Sequence, residues 1–251
     1  MTPTYYTALK PFDAFFATGT PILTYHKLGP RPARVRLKGL YVSERLFERQ
    51  LSELRRGGFN TGVFGALSNR GGNLGKQIAL TFDDGFSNVF HHAMEPLARH
   101  GFRAIEFLVA DMIGRSNEWE VQQGEVRESL MDAAQVKDWL AAGHEIGAHT
   151  LTHPFLTRVS LREAREEIFA GKKKLEDLFG IPIRHFCYPY GDSNPAIRAL
   201  VGEAGYETAC TTAFGVNTAA TPALELKRIM ARYQSISFKS LKARLARFKL
   251  H

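Results

Sequence analysis

Residues 77–110 read QIALTFDDGFSNVFHHAMEPLARHGFRAIEFLVA. The stretch through Phe82 is apolar and β-prone and runs into Asp83-Asp84-Gly85. A helical pattern follows to about Arg99, and Arg103 to Ala110 then reads as a second, buried strand. Strand, helix and strand in this order imply parallel strands joined by a crossover helix. The same alternation extends both ways. Upstream, residues 21–26 (PILTYH) form a strand that ends in polar groups. Ser43 caps a helix carrying Leu46, Phe47, Leu51 and Leu54, which stops at Gly57-Gly58. Residues 60–64 read as a short strand and 66–76 as a Gly/Asn-rich loop.

Downstream, residues 111–131 lack periodicity and read as a loop or small insertion. Asp132 starts a helix to Ala142, and 145–148 form a strand. Ser160 caps a long helix to Phe179, closed by Gly180; a strand at 184–188 and a helix at 193–203 follow. Strands at 208–212 and 226–230 and a helix at 238–250 complete the chain. Seven to eight strands without a linker between them predict one domain over residues 1–251, an α/β chain folded as a closed or nearly closed (β/α) barrel. Function in such barrels gathers at the C-terminal ends of strands, where His26, Asp83, Asp84, His149 and Tyr190 fall.

The 251 residues are 44% hydrophobic and 23% charged, enough to bury a full core without staples and unlike a disordered, collagenous or membrane-bundle chain. Two cysteines, 187 and 210, make no disulfide framework. The net charge is +8, but unevenly placed. Residues 1–76 carry +8, residues 77–226 carry −8 and residues 227–251 carry +8. The acidic middle is where cation chemistry is expected. The net charge alone suggests a nucleic-acid binder, yet no zinc-finger spacing, RNP-type strand or basic helix-turn-helix appears, so no nucleic acid is expected as partner. No apolar run reaches the length of a transmembrane helix. The N-terminal MTPTYYTALKPFDAFF lacks the pattern of a signal peptide, so a cytoplasmic protein is expected.

Three segments carry chemistry. In Thr81-Phe82-Asp83-Asp84-Gly85, adjacent carboxylates at a strand end point in different directions, so one can bind a metal while the other acts as base. An Asp-Asp-Gly turn capping the next helix explains the pentapeptide equally well. In His149-Thr150-Leu151-Thr152-His153, two imidazoles four residues apart can share a metal, on a loop because Pro154 follows. Asp84, His149 and His153 together make a two-His-one-carboxylate set with open positions, the layout of a catalytic metal. The third segment, Phe186-Cys187-Tyr188-Pro189-Tyr190-Gly191, is by itself an aromatic strand ending in a turn.

In this order the three segments resemble the NodB-homology polysaccharide deacetylase family, over roughly residues 20–235. TFDDG matches its first motif, HTLTH its second, and CYPYG stands where its third, R-x-P-[YFW]-G, falls. The resemblance implies a distorted (β/α) barrel of about seven strands and removal of N-acetyl groups from an amino-sugar glycan. It implies Asp83 as catalytic base and Asp84, His149 and His153 as ligands of a divalent metal: Zn2+, with Co2+, Ni2+, Mn2+ or Fe2+ as alternatives. The Tyr190 amide would hold the oxyanion beside Pro189, and the Tyr190 ring would line the sugar site.

Departures from the family pattern are as informative. Cys187 replaces the Arg that steadies the catalytic Asp, no late acidic motif follows Glu225, and the C-terminal Leu-x-His that supplies a general acid is absent. Tyr25-His26 resembles the early Tyr-His motif of the poly-N-acetylglucosamine deacetylase subgroup, which implies His26 as the acid. Arg228 is the residue that could orient Asp83 in place of the missing Arg. His91, His92, His100, His144 and His185 have no assigned role; Cys187 reads as a small buried residue, and Trp119 and Trp139 as packing, with Trp119 a minor candidate for glycan contact. The rival readings are hydrolysis of another C–N bond, in a lipid-linked amino sugar or a small amide, and a catalytically dead glycan-binding module. Residues 237–251 form a basic amphipathic helix with Phe238, Leu241, Leu245 and Phe248 on one face, which packs on the barrel or touches an anionic membrane surface.

Overall fold

The structure, a computed structural model, describes residues 3–62, 64 and 76–232. In chain order it contains α1 (Asp13–Phe16), β1 (Ile22–Tyr25), β2 (Lys27–Leu28), β3 (Tyr41–Val42), α2 (Glu44–Arg56), β4 (Phe59–Asn60), β5 (Lys76–Gln77) and β6 (Ala79–Asp84). There follow α3 (Ser87–His100), β7 (Ile105–Leu108), α4 (Glu118–Val121), α5 (Ala133–Ala141), β8 (Glu145–Ala148), α6 (Leu161–Phe179), β9 (His185–Cys187), α7 (Pro195–Glu203), β10 (Thr208–Phe214) and β11 (Leu226–Met230). Seven strands close a parallel barrel in the order β1-β11-β10-β9-β8-β7-β6, with β6 pairing back on β1. The helices surround it, so β1, β6, β7 and β9 are buried along their whole length.

The helix ends follow local chemistry. Ser43 accepts the Leu46 amide, Asp132 and Ser160 each form a reciprocal capping box, and Gly180 closes α6 in the left-handed conformation. Gly147 in β8 leaves room for its neighbours: a Cβ there would lie 2.6 Å from the Phe107 ring. The N-terminal mouth of the barrel is filled by an apolar cluster of Ile22, Ala79, Ile105, Phe107 and Leu226 with Phe64.

Two expectations change. Among the described residues, the strand expected at 60–64 covers Phe59–Asn60, paired with Lys76–Gln77 outside the barrel. Phe64 instead packs against Phe107 and His185, because the open mouth offers its ring more burial than a sheet edge does. Residues 111–131 are a compact wall rather than a plain loop. They contain α4, and isolated bridges tie Phe86 to Leu130 and Ser116 to Ser129. Residues 66–75 of the expected loop and the helix expected at 238–250, within segment 237–251, lie outside the described residues. Among the described residues no helix is long and apolar enough to cross a membrane.

Candidate active site

The C-terminal end of β6 delivers Asp83 and Asp84 side by side, both buried. Asp84 has φ +80° and Gly85 φ +81°, which turns the chain sharply after the strand. A left-handed conformation is strained for any residue with a Cβ. Four of the five non-glycine residues with positive φ among those described are Asp84, Thr150, His153 and Tyr190. Their gathering at one barrel mouth marks a site where the fold holds strained backbone for a purpose. The turn is pinned from both sides: the Gly85 amide donates to Glu106 Oε1 at 2.9 Å, and its carbonyl accepts from the Met131 amide at 2.7 Å.

His149 follows β8 and His153 ends the next turn. Glu167 of α6 clamps the connecting loop, accepting from the Leu151 amide (3.0 Å) and from the Thr152 amide (2.8 Å) and hydroxyl (2.5 Å). His149 Nδ1 lies 2.7 Å from the Cys187 carbonyl, which requires the proton on Nδ1 and turns Nε2, with its lone pair in the neutral ring, toward Asp84. That Nε2 is 3.4 Å from Asp84 Oδ1, and His153 Nε2 is 3.2 Å from the same oxygen. These spacings are close to the roughly 3.4 Å edge of a tetrahedron of ligands about 2.0–2.1 Å from a zinc ion. The three donor atoms all lie within 4.8 Å of one another and are buried, so the residues fit a divalent cation. Burial alone would raise the Asp84 carboxyl, but the two imidazoles hold it well below its usual range. Burial would lower His149, yet the polar groups around it, Cys187 and Asp84 first, raise it; a bound cation would displace that proton.

Asp83 has a different set of partners. Arg228 of β11 grips it in a bidentate pair, Nη1 to Oδ1 at 2.7 Å and Nη2 to Oδ2 at 2.7 Å. Burial would raise the Asp83 carboxyl, and the guanidinium overrides this and holds it ionised. Arg228 is itself located by Thr81 Oγ1 (3.2 Å) and the Thr211 carbonyl (2.9 Å). Cys187 Sγ sits 3.1 Å from Arg228 Nη2, so the small side chain at this position leaves space for a guanidinium arriving from another strand. Asp83, His149 and Cys187 also lie close together, but do not suit a metal. The Arg228 guanidinium already supplies the countercharge of Asp83, and burial pushes the Cys187 thiol up to about 11. His26, just after β1, places Nε2 3.8 Å from Asp83 Oδ2. Burial lowers its pKa against the opposite pull of Asp83 and Asp84.

A cavity of about 250 Å³ opens over these groups. Trp119 stacks on His153 with centroids 4.6 Å apart, and the Tyr190 ring meets His153 edge-on at 4.7 Å. Tyr190 is 40% exposed and stacks on Phe155 at 3.8 Å. Pro189 is buried at the start of its turn, whose hydrogen bonds use the amides of Gly191 and Asp192 and leave the Tyr190 amide outside them. The wall bearing Trp119 hangs on Lys27, whose fully buried ammonium lies 2.7 Å from Glu120 and 2.9 Å from Glu128. Burial would lower Lys27, and the two carboxylates instead raise it and keep it charged.

Asp83, Asp84, His26, His149, His153, Tyr190 and Arg228 thus all line one cavity, with Pro189 directly behind Tyr190. Lys27, Glu106, Glu120 and Glu167 were missed from the sequence. Lys27 had one signal, its place next to Tyr25-His26; the three glutamates had none beyond their type. His144 and His185 are buried at the opposite ends of their strands, and His91, His92 and His100 lie on α3.

A profile of the family described as polysaccharide deacetylase matches residues 70–209, more than half of the chain. The chain is 30% identical over 128 residues to the peptidoglycan-N-acetylglucosamine deacetylase PgdA of Listeria monocytogenes, covering 51% of this chain and 24% of that protein. It is 30% identical over 137 residues to a peptidoglycan-N-acetylglucosamine deacetylase of Bacillus cereus, covering 54% and 56%. Both matches span less than two thirds of the relative's own length. The solved structure of the Streptococcus pyogenes deacetylase PplD in complex with acetate aligns with a TM-score of 0.74 at 24% identity, over 90% of this chain and 97% of that one. It has the same fold.

Proposed function

The chain belongs to the polysaccharide deacetylase family, and on that premise we propose that it is a metal-dependent hydrolase that removes N-acetyl groups from an amino-sugar glycan, giving acetate and a free amine. The observation that carries this is the division of labour between adjacent carboxylates: Asp84 faces two imidazoles, and Asp83 faces a guanidinium and His26. A divalent cation held by Asp84, His149 and His153, Zn2+ by the chemistry of the donor set, would polarise the acetyl carbonyl and make water a stronger nucleophile at neutral pH.

Asp83, ionised and fixed by Arg228, takes the proton of the attacking water. Each Asp83 oxygen accepts one bond from Arg228 and keeps lone-pair capacity for that proton. The Tyr190 amide, outside the hydrogen bonds of its own turn, donates to the developing oxyanion. His26, which receives the proton that Asp83 takes from the water, passes it to the departing amine, which leaves poorly as an anion. Its 3.8 Å distance from Asp83 sets acid and base on the same side of the cavity. The Trp119 and Tyr190 rings wall the sugar. A catalytically dead binding module drew its support from Cys187 in the place of the family Arg; Arg228 in contact with both Asp83 oxygens supports the active reading.

The test is metal analysis joined to an acetate-release screen over N-acetylated and O-acetylated glycans and small amides. The expected result is about one divalent ion per chain and acetate from N-acetylated glycans. Turnover of small amides alone would point to another C–N bond, and bound glycan without turnover to the module.

A further inference from the structure

The two imidazoles of the candidate metal site are held by different means. His149 donates its Nδ1–H to the Cys187 carbonyl at 2.7 Å, which fixes the plane of its ring. Such an outer partner is what ordinarily orients a metal-bound histidine. His153 lacks one: its buried Nδ1 has no hydrogen-bond partner among the described residues, while Nε2 lies 3.2 Å from Asp84 Oδ1. With the Nε2 lone pair turned to a cation, the proton of the neutral ring sits on that unpartnered Nδ1. The backbone does not supply the missing control. The His153 amide donates to Thr150 Oγ1 at 2.9 Å and φ is +71°, which set where the side chain starts. Neither sets how the ring turns about its last bond, a torsion that is intrinsically broad.

Aromatic rings take over that task. Trp119 lies against the face of His153, with centroids 4.6 Å apart and planes 24° from parallel. Tyr190 and His149 meet the ring edge-on at 4.7 Å and 4.8 Å. Tyr190 is 40% exposed and His149 is itself a ligand, so Trp119, only 9% exposed, is the firm support. An indole face in stacking contact resists rotation of the imidazole, which would carry Nε2 away from Asp84.

Trp119 is seated in turn. It lies on α4, four residues long and too short to hold its own shape. Its neighbour Glu120 accepts from Lys27 Nζ at 2.7 Å and from Asn117 Nδ2 at 2.7 Å. Asn117 Oδ1 accepts the Glu128 amide at 2.7 Å, and Gln123 Nε2 donates to the Trp119 carbonyl at 3.0 Å. These bonds tie the short helix to the rest of its segment and, through the buried Lys27, to the strand that follows His26.

We infer that Trp119 is the positioning residue of His153, holding the imidazole by stacking in place of the missing hydrogen bond, and that the Lys27–Glu120 pair fixes the wall from which it acts. The inference rests on the metal-site reading of Asp84, His149 and His153. It makes cation affinity depend on residues 111–131, a segment outside the barrel strands.

The test compares the wild type with Trp119→Leu and Trp119→Phe as full chains. Zn2+ affinity is measured by competition with a chromophoric chelator, the visible absorption of the Co2+-loaded chain reports the ligand geometry, and KM is followed with an N-acetylglucosamine oligomer. Trp119→Leu is expected to weaken Zn2+ by about tenfold or more, as loss of an outer partner does for a metal-bound histidine, and to alter the Co2+ absorption. Trp119→Phe keeps an aromatic face and should recover most of the affinity. Trp119→Met, an adaptable unbranched side chain, replaces the leucine variant if that one does not fold. Wild-type Zn2+ affinity without the indole, or equal weakening in the aliphatic and phenylalanine variants, would overturn the inference. A raised KM with unchanged Zn2+ affinity would assign Trp119 to the sugar and overturn it as well. A wild-type chain that binds no Zn2+ would overturn the metal-site reading itself, and the inference with it.

Discussion

Along β1, Ile22 gives way two residues later to Thr24; along β6, Ala79 gives way to Thr81 and Asp83; along β11, Leu226 gives way to Arg228. One step of the two-residue repeat carries the barrel interior from an apolar plug, closed by Phe64 and Phe107, to a polar mouth. The lower half holds the strands together by burial. The upper half uses that rigidity to keep two carboxylates, an arginine and three histidines within a few ångströms, at the cost of strained backbone at Asp84, Thr150, His153 and Tyr190. Stability and chemistry therefore reside in different layers of the same strands.

Substitutions that separate the layers test this division. The largest effect is expected from Asp84→Ala or His149→Ala, which remove a ligand: bound metal and activity should disappear together, while far-UV circular dichroism stays that of a folded chain. Treatment of the wild type with a chelator should do the same, and adding the metal back should restore activity. Arg228→Met should act in both layers, because it leaves Asp83 buried without its countercharge. The expected loss is about 3–5 kcal/mol in denaturant unfolding, together with a lower kcat. Phe107→Ala in the plug should cost a similar 3–5 kcal/mol of stability and leave kcat nearly unchanged in the fraction that remains folded. A large fall in kcat there would break the comparison.

The smallest effect concerns acid. Burial lowers His144 and His185 from 6.5 to about 4 in the folded protein. Between those values the unfolded chain binds more protons than the folded one. Their contribution to stability is therefore complete above pH 6.5 and is lost as pH falls toward 4. Unfolding midpoints measured across that range should decline, and His185→Gln should flatten the decline.

Much of this organisation is legible in the amino-acid sequence because it is local. The strand–helix alternation, the caps at Ser43, Asp132 and Ser160, and the Gly180 stop each depend on a few adjacent residues. Asp83, Asp84, His149 and His153 stand out because their spacing within short segments reflects their chemistry. What escaped depends on contacts between distant segments. Lys27 meets Glu120 across 93 positions. Nothing near Glu120 or Glu167 signals a partner, and the use of Phe64 as a plug depends on a barrel mouth that exists only after the strands close. Arg228 is legible in the sequence only through a gap, the missing arginine at Cys187, which leaves Asp83 in need of another cation.

The central claim is that neighbouring carboxylates do different work, and Asp83→Asn tests it most directly. Metal content and acetate release from an N-acetylglucosamine oligomer would be measured on the same preparation, beside the wild type. The account predicts that the variant keeps its full metal content and loses about two to four orders of magnitude in kcat. Wild-type turnover in the variant, or loss of its metal, would contradict it.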